Sequence, residues 1–142
     1  MAKARILVVD DSRPTVTLVG GVLKKQGYEV HSAYDGKQGL ELAREVKPDL
    51  IILDIMMPEM NGYEVCWRLQ QDPATASIAI LMLTAKGGVD QENGRSHKVA
   101  TKVKDRLKGY DVGAVDFLTK PVKGSDLAKR VKALLWAGGM IV

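Results

Sequence analysis

Few segments leave a chain as little choice of fold as Asp49 to Gly62, DLIILDIMMPEMNG. Leu50-Ile51-Ile52-Leu53 is a continuous aliphatic run, opened by Pro48 and too short for a buried helix. Such a run reads as a central strand covered on both faces, as in parallel sheets. At its carboxyl end stands a carboxylate, Asp54, after which Met56-Met57-Pro58 turn the chain and a helix restarts beyond Asn61-Gly62. In open α/β sheets ligands bind just beyond the carboxyl ends of the strands, so an acid there is well placed for chemistry. Asp is also a common turn residue, and this segment alone leaves a plain capping role open.

The remaining strand ends decide between the two. Ala4 to Val9 is a second apolar run, ending in Asp10-Asp11. Ser12 is a suitable N-cap and Pro14 suits a first helical turn. The helix they open is expected to reach about Gln26, burying Val16, Val19, Val22 and Leu23, with Gly27 as its stop. Gly20-Gly21 inside it costs about 1 kcal/mol per glycine relative to alanine, and close packing on the sheet is the expected compensation. Tyr28 to Tyr34 reads as a weaker, edge strand, followed by a helix over about Gly36 to Val46 that Pro48 ends. After the Asp49–Ile55 strand comes a helix from about Tyr63 to Gln71. Ile78 to Leu83 forms a fourth strand closing on Thr84-Ala85-Lys86, and Val115 to Leu118 a fifth closing on Thr119-Lys120-Pro121. A last helix, about Ser125 to Ala137, carries Leu127, Val131, Leu134 and Leu135 on one face.

Five strands alternating with helices predict a doubly wound, five-stranded parallel sheet of the flavodoxin-like type, strand order 2-1-3-4-5. Right-handed crossovers then gather Asp10, Asp11, Asp54, Thr84 and Lys120 at one edge of that sheet. Two carboxylates about 5 Å apart repel by about 3 kcal/mol at an effective dielectric of about 20. Three of them would consume much of a stability of about 5–15 kcal/mol unless a cation sits among them. Hard oxygen ligands on a partly open site suit Mg²⁺, which also accepts phosphate oxygens.

Composition excludes several classes. The chain has 142 residues, 46% of them apolar and 27% charged, with a net charge of +4. That is the profile of one soluble globular domain, expected here over 1–142. No apolar run approaches the length of about 18 residues that spans a membrane, and Ile6 to Val9 is too short for a signal peptide core. The single cysteine, Cys66, allows no internal disulfide and fits a reducing compartment, so the cytoplasm is the expected location. Beside Val65 and Leu69 on a helix, Cys66 reads as core rather than nucleophile.

The pieces ILVVDDS, LIILDIMMPEMNG, LMLTAK and GAVDFLTKP stand in order, each at a strand end, and through them nearly the whole chain resembles the receiver domains of bacterial two-component response regulators. The resemblance implies that Asp54 is the phosphoacceptor and that Asp10, Asp11, Asp54 and the backbone carbonyl of Met56 hold Mg²⁺. Thr84 would donate its hydroxyl to a phosphoryl oxygen and Lys120 would pair with the phosphoryl charge. Thr84 and Phe117 would act as the switch that reshapes the surface made by the helix before strand five, that strand and the last helix. The implied partners are a sensor histidine kinase or histidine phosphotransfer protein, and a downstream effector protein or output domain. On this reading the chain is a switch, not a turnover enzyme. A phosphorylation-independent binding module shares the fold, but no expected site residue is missing. An Asp-nucleophile phosphatase lacks its second acid, since Met56 stands two residues after Asp54.

Two departures accompany the resemblance. Between Thr84 and Lys120 lie 35 residues, about a dozen more than the family usually has, and connections that long tend to be functional or disordered. The surplus is expected as a loop over about 87–100, with Ser96 capping a helix that carries Val99, Val103, Leu107 and Tyr110 and ends near Gly113. Residues 86–108 hold seven Lys/Arg against three acids, a solvated face or a docking site for an acidic partner. After Ala137 only five residues follow, too few for a helix-turn-helix, so no direct DNA binding is expected of this chain. The tail 138–142 reads as a linker or interface segment; a homodimer and a longer parent regulator both stay open.

Overall fold

A computed structural model describes residues 3–85 and 115–137. The loop over 87–100, the helix from Ser96, the basic stretch 86–108 and the tail 138–142 lie outside the described residues. Five strands, β1 (Arg5–Val9), β2 (Glu29–Ala33), β3 (Leu50–Asp54), β4 (Ala79–Thr84) and β5 (Asp116–Thr119), form one parallel sheet in the order β2-β1-β3-β4-β5. Four helices are described: α1 (Arg13–Lys25), α2 (Gly36–Val46), α3 (Gly62–Gln71) and α4 (Gly124–Ala137). This is the expected doubly wound architecture and strand order. No described helix is long and apolar enough to cross a membrane.

The sheet is buried on both sides because its strands alternate two apolar faces with period two. Leu7, Val9, Ile51, Leu53 and Met82 point to the side covered by α2 and α3. Ile6, Val8, Leu50, Ile52, Leu81 and Leu83 point to the side of α1 and α4, whose Val16, Val19, Leu23, Leu127, Val131 and Leu135 close that layer. All five residues of β3 are buried, as expected of a central strand, whereas β2 is half-buried at the edge. Cys66 is fully buried in the first layer, and burial pushes its thiol up to about 12, which makes it a core residue.

Helix boundaries follow local chemistry. The Ser12 hydroxyl accepts from the Thr15 N–H at 3.3 Å, and Asp35 and Asn61 do the same for Gln38 and Glu64. Gly27 ends α1 with a φ of 92°. Lys47 ends α2 in the left-handed region at φ 54°, a place where glycine would be less strained. The third helix starts one residue earlier than expected, at Gly62, because Asn61 supplies its cap.

The expectation for Gly20-Gly21 needs correction. A β-carbon at Gly21 would meet nothing within 4 Å, and one at Gly20 would only reach ordinary contact with Val30 at 3.8 Å. The glycines that close packing requires are others. At Gly39 a β-carbon would lie 2.9 Å from Val9 Cγ1, so this residue lets α2 sit against β1. Val22 is also only half-buried, since it lies on the flank of α1 toward α4.

Candidate functional site

The strand register brings the acids together. Val9 pairs with Leu53, so the residues that follow, Asp10 and Asp54, emerge side by side from the two central strands. Strand order reverses at this point, β1 leading outward to β2 and β3 outward to β4, which opens a crevice at the carboxyl edge. Asp10 is fully buried and Asp54 is 3% exposed, whereas Asp11 faces solvent. One carboxylate oxygen from each of the three lies within 4.8 Å of the others.

Lys120 arrives from farther away. Its backbone N–H donates to the Thr84 carbonyl at 2.7 Å, directly beyond the pairing of Thr84 with Thr119. From there its side chain reaches across β4, placing Nζ 3.0 Å from Asp10 Oδ2 and 3.4 Å from Asp54 Oδ1. Thr84 is buried at the end of β4, one residue past the partner of Asp54, and its hydroxyl donates to the Ala85 carbonyl at 3.3 Å. Phe117 is buried in the layer of α2 and α3, opposite Met82 on β4. Met56 follows Asp54 into the turn with its side chain 70% exposed.

Burial above all, and then the neighbouring Asp10 charge, push the Asp54 carboxyl from 3.8 up to about 6, against Lys120, which pulls it down. For Lys120 burial works toward a lower pKa, but the carboxylates of Asp10 and Asp54 outweigh it and hold the ammonium above its ordinary value. The Ser12 N–H donates to Asp10 Oδ1 at 2.9 Å, fixing that carboxylate at the mouth of α1. Its other oxygen, Oδ2, has no hydrogen-bond donor despite being buried; the nearby ammonium makes a charge contact without hydrogen-bond alignment.

These features fit a divalent cation held by oxygen. In their ionised forms three carboxylates against one ammonium leave two uncompensated negative charges, and the donors are all hard oxygens. The buried, unpartnered Asp10 Oδ2 is the kind of atom that an ion would satisfy.

One residue that the sequence reading treated only as a turn proves to shape the site. A β-carbon at Gly62 would lie 2.8 Å from Ile55 Cα and would also press on the Asp54 backbone. Gly62 therefore lets α3 start against the residue that carries the candidate nucleophile, and its N–H donates to the Ile55 carbonyl at 2.9 Å. The Asn-Gly pair was the available signal, but an αL turn and a close approach look alike in sequence; here Gly62 lies outside the positive-φ residues, so contact, not φ, demands it.

The comparisons with known proteins agree with this arrangement. Residues 6–132 match the response regulator receiver domain family. The chain is 42% identical over 131 residues to the DNA-binding dual master transcriptional regulator RpaA of Synechocystis, covering 92% of this chain but 48% of that protein. It is 38% identical over 132 residues to Protein PilH of Pseudomonas aeruginosa, covering 93% of this chain and 98% of that one. Among solved structures, the chemotaxis response regulator CheY4 of Vibrio cholerae superposes with a TM-score of 0.77 at 31% identity, covering 94% of this chain and 100% of that chain. Relatives such as RpaA are thus about twice as long as the part that matches. A parallel sheet with reversed order at β1, acids at its two central strand ends and a lysine reaching back from its edge strand is the common ground of these proteins, and the chain belongs to the response regulator receiver domain family.

Proposed function

We propose that residues 1–142 form a single receiver domain that takes one phosphoryl group onto Asp54 from a phosphohistidine of a sensor kinase or phosphotransfer protein. One observation carries this reading: the ammonium of Lys120 lies within 3.4 Å of both Asp10 and Asp54 at the crevice where the strand order reverses. An Asp54 oxygen attacks phosphorus, the phosphorus–nitrogen bond breaks, and the imidazole leaves as the proton returns to its nitrogen. An ionised carboxylate needs no general base for this step. What the transfer needs is neutralisation of charge on the equatorial oxygens.

Lys120 supplies part of that charge, and the Thr84 hydroxyl is free to leave its 3.3 Å contact with Ala85 for a phosphoryl oxygen. Asp10, Asp11, Asp54 and the Met56 carbonyl would hold Mg²⁺, which when bound supplies electrostatic stabilisation of the phosphoryl oxygens. Drawing Thr84 inward would free space for the Phe117 ring and so change the outer surface of β5 and α4 for a downstream effector. The chain takes up one phosphoryl rather than turning over a substrate. DNA binding, where it occurs, belongs to a further domain, and the setting is the cytoplasm.

Intact-mass measurement after incubation with acetyl phosphate and Mg²⁺ tests the assignment. One added phosphoryl is expected on the native chain, and none on Asp54→Asn or when Mg²⁺ is chelated. Equal labelling of both proteins would overturn the assignment, and no labelling of either would return the chain to a phosphorylation-independent binding module.

A further inference from the structure

The side chain of Met56 is not used by the chemistry above, yet it is the large apolar side chain nearest in sequence to Asp54 that stands in solvent, at 70% exposure. Two other described residues share that property, Leu18 and Trp136, and neither follows a site residue. The chain has six methionines, of which Met1 and Met140 lie outside the described residues. Among the four described, Met82 is fully buried and Met57 is 7% exposed. Met60 is half-buried, packed on the layer of α2 and α3. The same turn therefore holds three thioethers, Met56, Met57 and Met60, in three different environments, and only the one two residues from Asp54 is open to a reagent in water. Cys66, the other sulfur a peroxide could attack, is buried and has its thiol pushed up to about 12, so it does not compete.

We propose that Met56 is a reversible oxidation site through which peroxide shortens the life of the phosphoryl group on Asp54. The first step takes one peroxide: its distal oxygen forms a bond to Met56 sulfur, the O–O bond breaks and water leaves. Sulfur loses two electrons and the peroxide gains them. The product exchanges an apolar side chain for one ending in a strong hydrogen-bond acceptor, and methionine sulfoxide reductases of the thiol-dependent class reverse it. The second step rests on the reading of Asp54 as phosphoacceptor. A thioether is a weak acceptor and orients no water, whereas a sulfoxide oxygen at this position accepts a hydrogen bond from a water approaching phosphorus. That water attacks, the bond between phosphorus and Asp54 oxygen breaks, and the proton leaves with the released phosphate. Met56 acts through the water and so is a positioning residue.

The experiment has two arms on the full chain. In the first, the unphosphorylated protein is treated with limiting hydrogen peroxide and mapped by peptide mass. Met56 is expected to oxidise on the order of ten-fold faster than Met57, Met60 or Met82, in line with their burial. Equal rates for Met56 and Met60 would overturn the site. This arm does not depend on what Asp54 does. In the second, the loss of phosphoryl from protein labelled by acetyl phosphate is timed before and after peroxide. Oxidation is expected to shorten the lifetime about ten-fold, equivalent to about 1.4 kcal/mol of barrier. Met56→Leu should abolish the change, Met60→Leu should keep it, and Met56→Gln should shorten the lifetime without peroxide. An unchanged lifetime in protein carrying oxidised Met56 would overturn the proposal. Failure of Asp54 to label at all would instead count against the phosphoacceptor reading while the map of oxidation stands.

Discussion

Asp54 is held in a place that water scarcely reaches, beside a second buried acid, and its carboxyl is pushed up to about 6. A carboxyl with a raised folded pKa favours the fold while it is protonated, and that contribution is lost as pH rises from about 4 through about 6. In the absence of divalent cations, ionised Asp54 therefore works against folding at neutral pH. Asp54→Asn, freed of that charge, is expected to be more stable than the native chain by about 1–3 kcal/mol at pH 7.5 with chelator present. The difference should shrink toward zero near pH 4. Urea denaturation at the two pH values checks this, and a variant no more stable at pH 7.5 would mean that Lys120 compensates Asp54 fully. The residue best suited to accept a phosphoryl is thus also one the fold would be better without, which is the mark of a functional position.

At the level of elements, α1 and α2 show how two glycines of similar appearance in sequence can have opposite roles. Gly21 lies on the exposed side of α1 with open space where a β-carbon would go. Gly21→Ala is expected to stabilise the chain by about 1 kcal/mol through helix propensity alone. Gly39 faces β1, and an added β-carbon would press on the fully buried Val9 from 2.9 Å. Gly39→Ala is expected to destabilise by about 1–3 kcal/mol, as overpacking does. Thermal melts of the two single variants give opposite shifts on this account, and shifts of the same sign would refute it. The outer edge of β5 is closed by its own neighbours: the Phe117 N–H donates to Asp116 Oδ1 at 2.8 Å, and Arg130 of α4 donates to the Phe117 carbonyl at 3.0 Å. Side chains thereby occupy backbone groups that would otherwise pair with another strand.

Across the whole molecule, the site ties together three strands whose ends carry unlike charge: β1 through Asp10, β3 through Asp54 and β5 through Lys120. A cation bound to the folded state alone stabilises it by an amount that grows with its concentration, about 2.7 kcal/mol at one hundred times the dissociation constant. Adding Mg²⁺ is therefore expected to raise the melting temperature of the native chain, and Asp11→Ala is expected to lose most of that rise. An equal rise in both proteins would place the ion elsewhere. Much of this organisation was legible in the sequence. Apolar runs too short for helices and ending in Asp, Thr or Lys specify parallel strands with chemistry at their carboxyl ends, because burial on both faces needs unbroken aliphatic residues and function needs polar ones where the sheet stops. Ser12, Asn61 and Gly27 likewise announced their helix ends through local hydrogen bonding and backbone freedom. Tertiary structure alone decided the rest. Which glycines are indispensable depends on what stands opposite them, so Gly39 and Gly62 had to be seen against Val9 and Asp54. The unpartnered Asp10 Oδ2 and the raised pKa of Asp54 arise from desolvation by residues distant in the chain, and no local pattern encodes that.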